Sequence, residues 1–139
     1  MTTRRQFIAT TSAAAIAAAT HSLAAKYSDT IKVAMVGCGG RGTGAASQNL
    51  TTDKGLRLIA MADISQDQLD KSLGVLKKKH PEQVDVSTAN QFIGFDAYRE
   101  AIALADLVLI ASPQGFHPYH LAEAVRQGKH VFVDRKSVV

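Results

Sequence analysis

Four glycines in six residues, Gly37-Cys38-Gly39-Gly40-Arg41-Gly42, form the densest chemical signal in this 139-residue sequence. Glycine leaves backbone N–H groups uncovered and lets a bulky anion approach the main chain. The run follows an apolar stretch, Ile31 to Val36, and opens a helix-like segment, so the same anion would meet the positive end of a helix dipole. In the pattern G-x-G-x-x-G, Gly37 allows the tight turn out of the strand. Gly39 lets a pyrophosphate reach the backbone, and Gly42 lets the helix pack closely on the sheet. Arg41 is near enough to add positive charge, or it faces solvent. Cys38 is the single cysteine, which excludes an internal disulfide. It reads as a small side chain in a turn rather than a reactive thiol, because no general base lies beside it in sequence.

Asp63 lies 21 residues beyond Gly42, at the end of the next apolar run. A carboxylate there accepts hydrogen bonds from both hydroxyls of an adenosine ribose and repels a 2′-phosphate. Ile64 and Ser65 follow with no arginine to hold such a phosphate. The spacing therefore predicts NAD rather than NADP, with a helix-capping aspartate as the alternative. A methyltransferase-type fold also pairs a glycine loop with an acidic second strand. It usually places an acidic residue just before the glycines, where this chain has Met35-Val36. Farther on, Ser112-Pro113-Gln114 breaks an apolar strand at its C-terminal end, the side on which open parallel sheets bind ligands. His117 and His120 come next. They read either as site residues or as polar helix-start residues, one of them a cap.

The elements that must position these residues alternate in type, as expected for βαβ units and a parallel sheet. Strands are predicted over Ile31–Val36, Leu56–Ala62, Phe92–Phe95, Leu107–Ala111 and His130–Val133. A helix opens at Gly42 and runs to about Leu50. Another starts at Ser65, with Gln68 completing a capping box and Leu69, Leu73 and Leu76 forming its buried face. His80-Pro81 ends it, and Lys77-Lys78-Lys79 is its solvated last turn. Glu82 to Gln91 reads as polar and irregular. Asp96 is placed to cap a helix to about Ala105, and Pro118 suits the first turn of a helix stopped by Gly128.

Residues 1–25 read as an export signal and residues 26–139 as the folded domain. Thr3-Arg4-Arg5-Gln6-Phe7-Ile8 resembles a twin-arginine consensus, followed by an alanine-rich stretch too weakly apolar for a stable membrane anchor. The implied partner is the twin-arginine export machinery, and the implied location is periplasmic or extracellular. From Lys26 onward 14 basic and 12 acidic residues remain, a net of about +2, which excludes a nucleic-acid footprint.

Four motifs in order resemble the glucose–fructose oxidoreductase / inositol dehydrogenase (Gfo/Idh/MocA-like) family. They are Lys32 to Val36 with the glycine loop, Asp63, Ser112 to His120, and Gly128-Lys129-His130-Val131-Phe132-Val133. The resemblance implies a Rossmann-type doubly wound parallel sheet. It sets Ser112, Pro113 and Gln114 on the family's T-P-N-like turn beside the nicotinamide ribose, and His117 on that segment's histidine. The family's E-K-P is replaced by Asp134-Arg135-Lys136, with arginine in the lysine's place and no proline. Arginine holds its proton too tightly to share it with a substrate hydroxyl, so no catalytic residue is assigned. The family's C-terminal α+β substrate domain is missing from these residues, and the chain is expected to be an incomplete product that is inactive by itself. The expected parent is an exported NAD-dependent oxidoreductase acting on a small-molecule substrate: a sugar, polyol or related hydroxyl compound. The alternatives are an NAD-dependent glycoside hydrolase of the same family and a non-catalytic cofactor-binding fragment. The sequence leaves a homo-oligomer open.

Overall fold

The computed structural model describes residues 30–134. The twin-arginine segment and the Arg135-Lys136 pair lie outside them. Five parallel strands, β1 (Ile31–Val36), β2 (Leu56–Asp63), β3 (Gln91–Ile93), β4 (Leu107–Ile110) and β5 (His130–Val133), stand in the order β3-β2-β1-β4-β5. The order reverses at β1, so the first two crossovers run one way and the next two the other. Helices α1 (Gly40–Thr52) and α2 (Gln66–Lys79) cover one face; α3 (Ala97–Leu104) and α4 (His117–Arg126) cover the other.

Strand periodicity separates the two cores. Val33 and Met35 pack with Ala46 and Leu50 of α1 and Leu69, Leu73 and Leu76 of α2, whereas Ala34 and Val36 pack with Ala97, Ala101 and Ile102 of α3 and Ala124 of α4. The α2 face is the one predicted from Leu69, Leu73 and Leu76. In β2 the pairing with β1 skips one residue: Val33 faces Leu58, but Ala34 faces Ala60. The extra residue, Ile59, makes a bulge that flips every later side chain to the opposite face. Leu58 and Met61 consequently share the α1/α2 core, while Ala60 and Ala62 join the other.

Several boundaries differ from the sequence reading. Helix α1 starts two residues early, at Gly40, and β3 stops at Ile93 because Gly94 takes φ 126°. Strand β4 ends one residue early, at Ile110. The capping box does not form. Ser65 stands at the start of α2 without a side-chain cap, and the Asp63 carboxylate accepts the Ser65 N–H at 2.8 Å, the donor that a capping box assigns to Gln68. Asp96 likewise makes no cap bond, and its carboxylate lies 3.6 Å from Arg99 Nε. Nor is the stretch before β3 merely irregular. The buried Gln83 amide donates to the carbonyls of Leu50, Asp53 and Leu56 at 2.9, 2.9 and 3.2 Å. It ties the end of α1 to the start of β2, and gives the buried Leu50 and Leu56 carbonyls a donor.

Candidate functional site: a cleft at the C-terminal ends of the strands

The three motif glycines are constrained in different ways. Gly37 has φ +94°, and a Cβ there would lie 2.5 Å from the Ser112 nitrogen. Gly42 is buried, and its Cβ would fall 2.0 Å from the Gly37 carbonyl oxygen. Its smallness thus lets α1 close on the loop itself, not only on the sheet. Gly39 has nothing within 4 Å of such a Cβ. Among the described residues nothing requires glycine at Gly39, and the space beside it opens into the cleft.

The bulge in β2 gives Asp63 the same facing as Met61, toward α1. Its Oδ2 accepts the Cys38 N–H at 2.6 Å and its Oδ1 the Ser65 N–H at 2.8 Å. The carboxylate therefore holds the glycine loop and the start of α2 together. Each oxygen keeps a further lone pair for another donor. Asp63 does act locally at the start of α2, but that role does not exhaust it, because it also lines the cleft. Cys38 points away from the cleft. Its Sγ is 3.5 Å from the Ala62 carbonyl, and burial with Asp63 nearby pushes its thiol well above the usual range. That agrees with a packing role and opposes a reactive one.

Across from the loop, Ser112 and Pro113 leave β4 and a short 3-10 turn, Gln114–Phe116, leads into α4. Neither histidine caps α4, although capping was one option for them. His117 Nε2 is 2.5 Å from the Ser112 carbonyl, and His120 Nδ1 is 2.8 Å from the Ser112 hydroxyl. His120 is buried, with Tyr98 4.3 Å and Phe116 6.0 Å from it, ring centre to ring centre. Arg41 is largely exposed, as one of its two readings had it, but its charge is paired within the fold. Its guanidinium meets the Asp134 carboxylate through two bonds, 2.9 and 3.1 Å, joining the glycine loop to the end of β5.

The cleft encloses about 1580 Å³ of space open to solvent. Gly37, Gly39, Gly40, Arg41, Asp63, Ser112, Pro113, Gln114 and His117 all line it, whereas Cys38 and Gly42 only support it. Sequence reasoning missed Asp134 as the partner of Arg41, since only the fold brings β5 to the loop. It also missed a smaller hollow beyond Asp63, about 400 Å³ with the solvent-open space at its mouth included, walled by Ile64, Phe95, Tyr98, Phe116 and His120. Phe95 had been read into β3; it stands 70% exposed beside that hollow. An exposed aromatic next to a glycine turn is the signal that could have found it.

The family model described as "Oxidoreductase family, NAD-binding Rossmann fold" (GFO_IDH_MocA) matches residues 31–135. The chain belongs to this family. The matched segment is the family's NAD-binding Rossmann domain. Among curated relatives, a glycosyl hydrolase family 109 protein of Solibacter usitatus is 29% identical over 113 residues, covering 78% of this chain and 25% of that protein. A protein of the same name from Shewanella baltica strain OS195 is 29% identical over 114 residues, covering 81% of this chain and 24% of its own length. The chain thus spans about a quarter of these relatives. Among solved structures, apo scyllo-inositol dehydrogenase of Lactobacillus casei is 27% identical, with a TM-score of 0.53 over 76% of this chain and 28% of that one. The same enzyme with NAD(H) and scyllo-inositol bound is 28% identical, with a TM-score of 0.51 over 75% and 27%.

Proposed function

We propose that the chain is the NAD-binding domain of an exported oxidoreductase that acts on a sugar, polyol or related hydroxyl compound. The observation that carries the cofactor assignment is the pairing of Asp63 with the open face of Gly39 across one cleft. Gly39, Gly40 and the first turn of α1 offer backbone N–H groups to a pyrophosphate. Asp63 offers carboxylate oxygens to the adenosine ribose hydroxyls, and Ser112, Pro113, Gln114 and His117 border the nicotinamide half. NAD, when bound, supplies a hydride acceptor at the nicotinamide ring. The residues lining the cleft would hold and orient it.

Calorimetric titration of the 139-residue chain tests the assignment. NAD should bind at least about tenfold more tightly than NADP, because a 2′-phosphate beside Asp63 sets like charges together. Equal affinities would defeat it. The names of the curated relatives favour a second reading, glycoside hydrolysis through transient oxidation at the same cofactor. In a protein carrying the remaining length, NADH accumulating with substrate supports net oxidation. Sugar released without net NADH supports the hydrolase.

Export rests on Arg4-Arg5 and the alanine-rich run after them. Residues 1–25 fused to a folded reporter should carry it out of the cytoplasm by the twin-arginine route. Replacing both arginines by lysine should abolish that transport.

A further inference from the structure

Ser112 is gripped twice by one turn of α4. A carbonyl oxygen only accepts, so His117 must donate from Nε2 to the Ser112 carbonyl, which fixes the backbone of the turn. His120, three residues later, reaches the Ser112 hydroxyl with Nδ1 at 2.8 Å. Ser112 lines both the large cleft and the smaller hollow, so it stands where the two meet.

We propose that His120 is a positioning residue, which through Nδ1 sets the rotor of the Ser112 hydroxyl and so decides whether it accepts from or donates to a cofactor hydroxyl. This rests on the reading that the cleft takes NAD. With its proton on Nε2, His120 accepts the Ser112 O–H and leaves the serine lone pairs facing the cleft. A charged His120 donates from Nδ1, so the serine proton turns outward and the polarity presented to the cofactor inverts. Tyr98 of α3, tilted against the ring, and His117 on its own helix are the titratable groups facing His120. Asp63 of β2 lines the same hollow. Burial first, and the neighbouring His117 second, lower the His120 pKa and favour the neutral form.

The test is an NAD titration of the full chain and of S112A, H120F, H120N and the S112A/H120F double variant. Losing one hydrogen bond should weaken binding by about three- to tenfold in S112A and in H120F alike. The double variant should be no weaker than S112A, because both changes remove the same bond. Asparagine places an amide near the Nδ1 position, so H120N should restore most of the affinity lost in H120F. It should also flatten the change in affinity expected of the unsubstituted chain as pH falls below the ordinary histidine range, where His120 takes up its proton. Imidazole nitrogen NMR of the free chain supplies a reading that needs no cofactor: S112A should change the tautomer balance of His120. Additive losses in the double variant, or a His120 spectrum indifferent to S112A, would overturn the proposal and leave the cofactor assignment standing. Absence of NAD binding by the unsubstituted chain would overturn both.

Discussion

At the scale of single residues, the glycines make separable predictions. Gly37→Ala would force a side chain into φ +94° and against the Ser112 backbone, and Gly42→Ala would drive a Cβ into the Gly37 carbonyl. Each should cost about 1–3 kcal/mol or more, read as a lower urea midpoint. Gly39→Ala meets nothing among the described residues. It should therefore leave the urea midpoint nearly unchanged while weakening NAD by about tenfold or more, as the methyl fills the path of the pyrophosphate. If G39A unfolds like G42A, the loop is a packing device and not a cradle. Asp63→Ala should lower NAD affinity and erase the preference over NADP. The NAD/NADP ratio is the decisive reading, since loosening the loop would weaken both cofactors together. For His120 the sign of the pH effect follows from its lowered pKa. The unfolded chain binds the proton more readily, so this group's cost is absent above its ordinary value of 6.5 and grows as pH falls through the folded value. Urea unfolding across that range should show the loss, and H120F should lack it.

At the scale of elements, the connection from α1 to β2 depends on one buried amide. Gln83→Ala leaves the carbonyls of Leu50, Asp53 and Leu56 without its donor and should cost about 1–3 kcal/mol. Gln83→Glu should cost more at neutral pH, because a carboxylate would face those oxygens; thermal unfolding ranks the two. The sequence read this stretch as irregular because a glutamine among polar residues carries no periodicity to mark it as buried. The bulge at Ile59 was hidden for a similar reason. Leu58 to Ala62 is apolar on both faces, so no alternation betrays the slipped residue that turns Asp63 toward the loop. Segments with one apolar face were easier, and Leu69, Leu73 and Leu76 marked the buried side of α2 correctly.

At the scale of the whole molecule, cofactor binding and stability are linked. A ligand held only by the folded state at about 100 times its Kd stabilises by about 2.7 kcal/mol. Residues 26–139 should therefore melt several degrees higher with saturating NAD than without, on the order of 4 °C per kcal/mol for a domain of this size. No rise at saturation would mean that the cleft does not take the cofactor in this chain. The Arg41–Asp134 pair closes one side of the cleft between elements 93 residues apart. It is exposed at Arg41, so it should contribute little to stability.

The sequence by itself determined the alternation of strands and helices, the glycine turn, the acidic residue that ends β2 and the family resemblance. Each of these depends on local spacing that a short window contains. The tertiary structure alone decided that Asp63 faces the loop, that Gln83 is buried, and that Arg41 meets Asp134. It also decided that His120 turns inward to Ser112 instead of capping α4. Those outcomes depend on register and on which elements become neighbours, and a polar side chain carries no local mark of either.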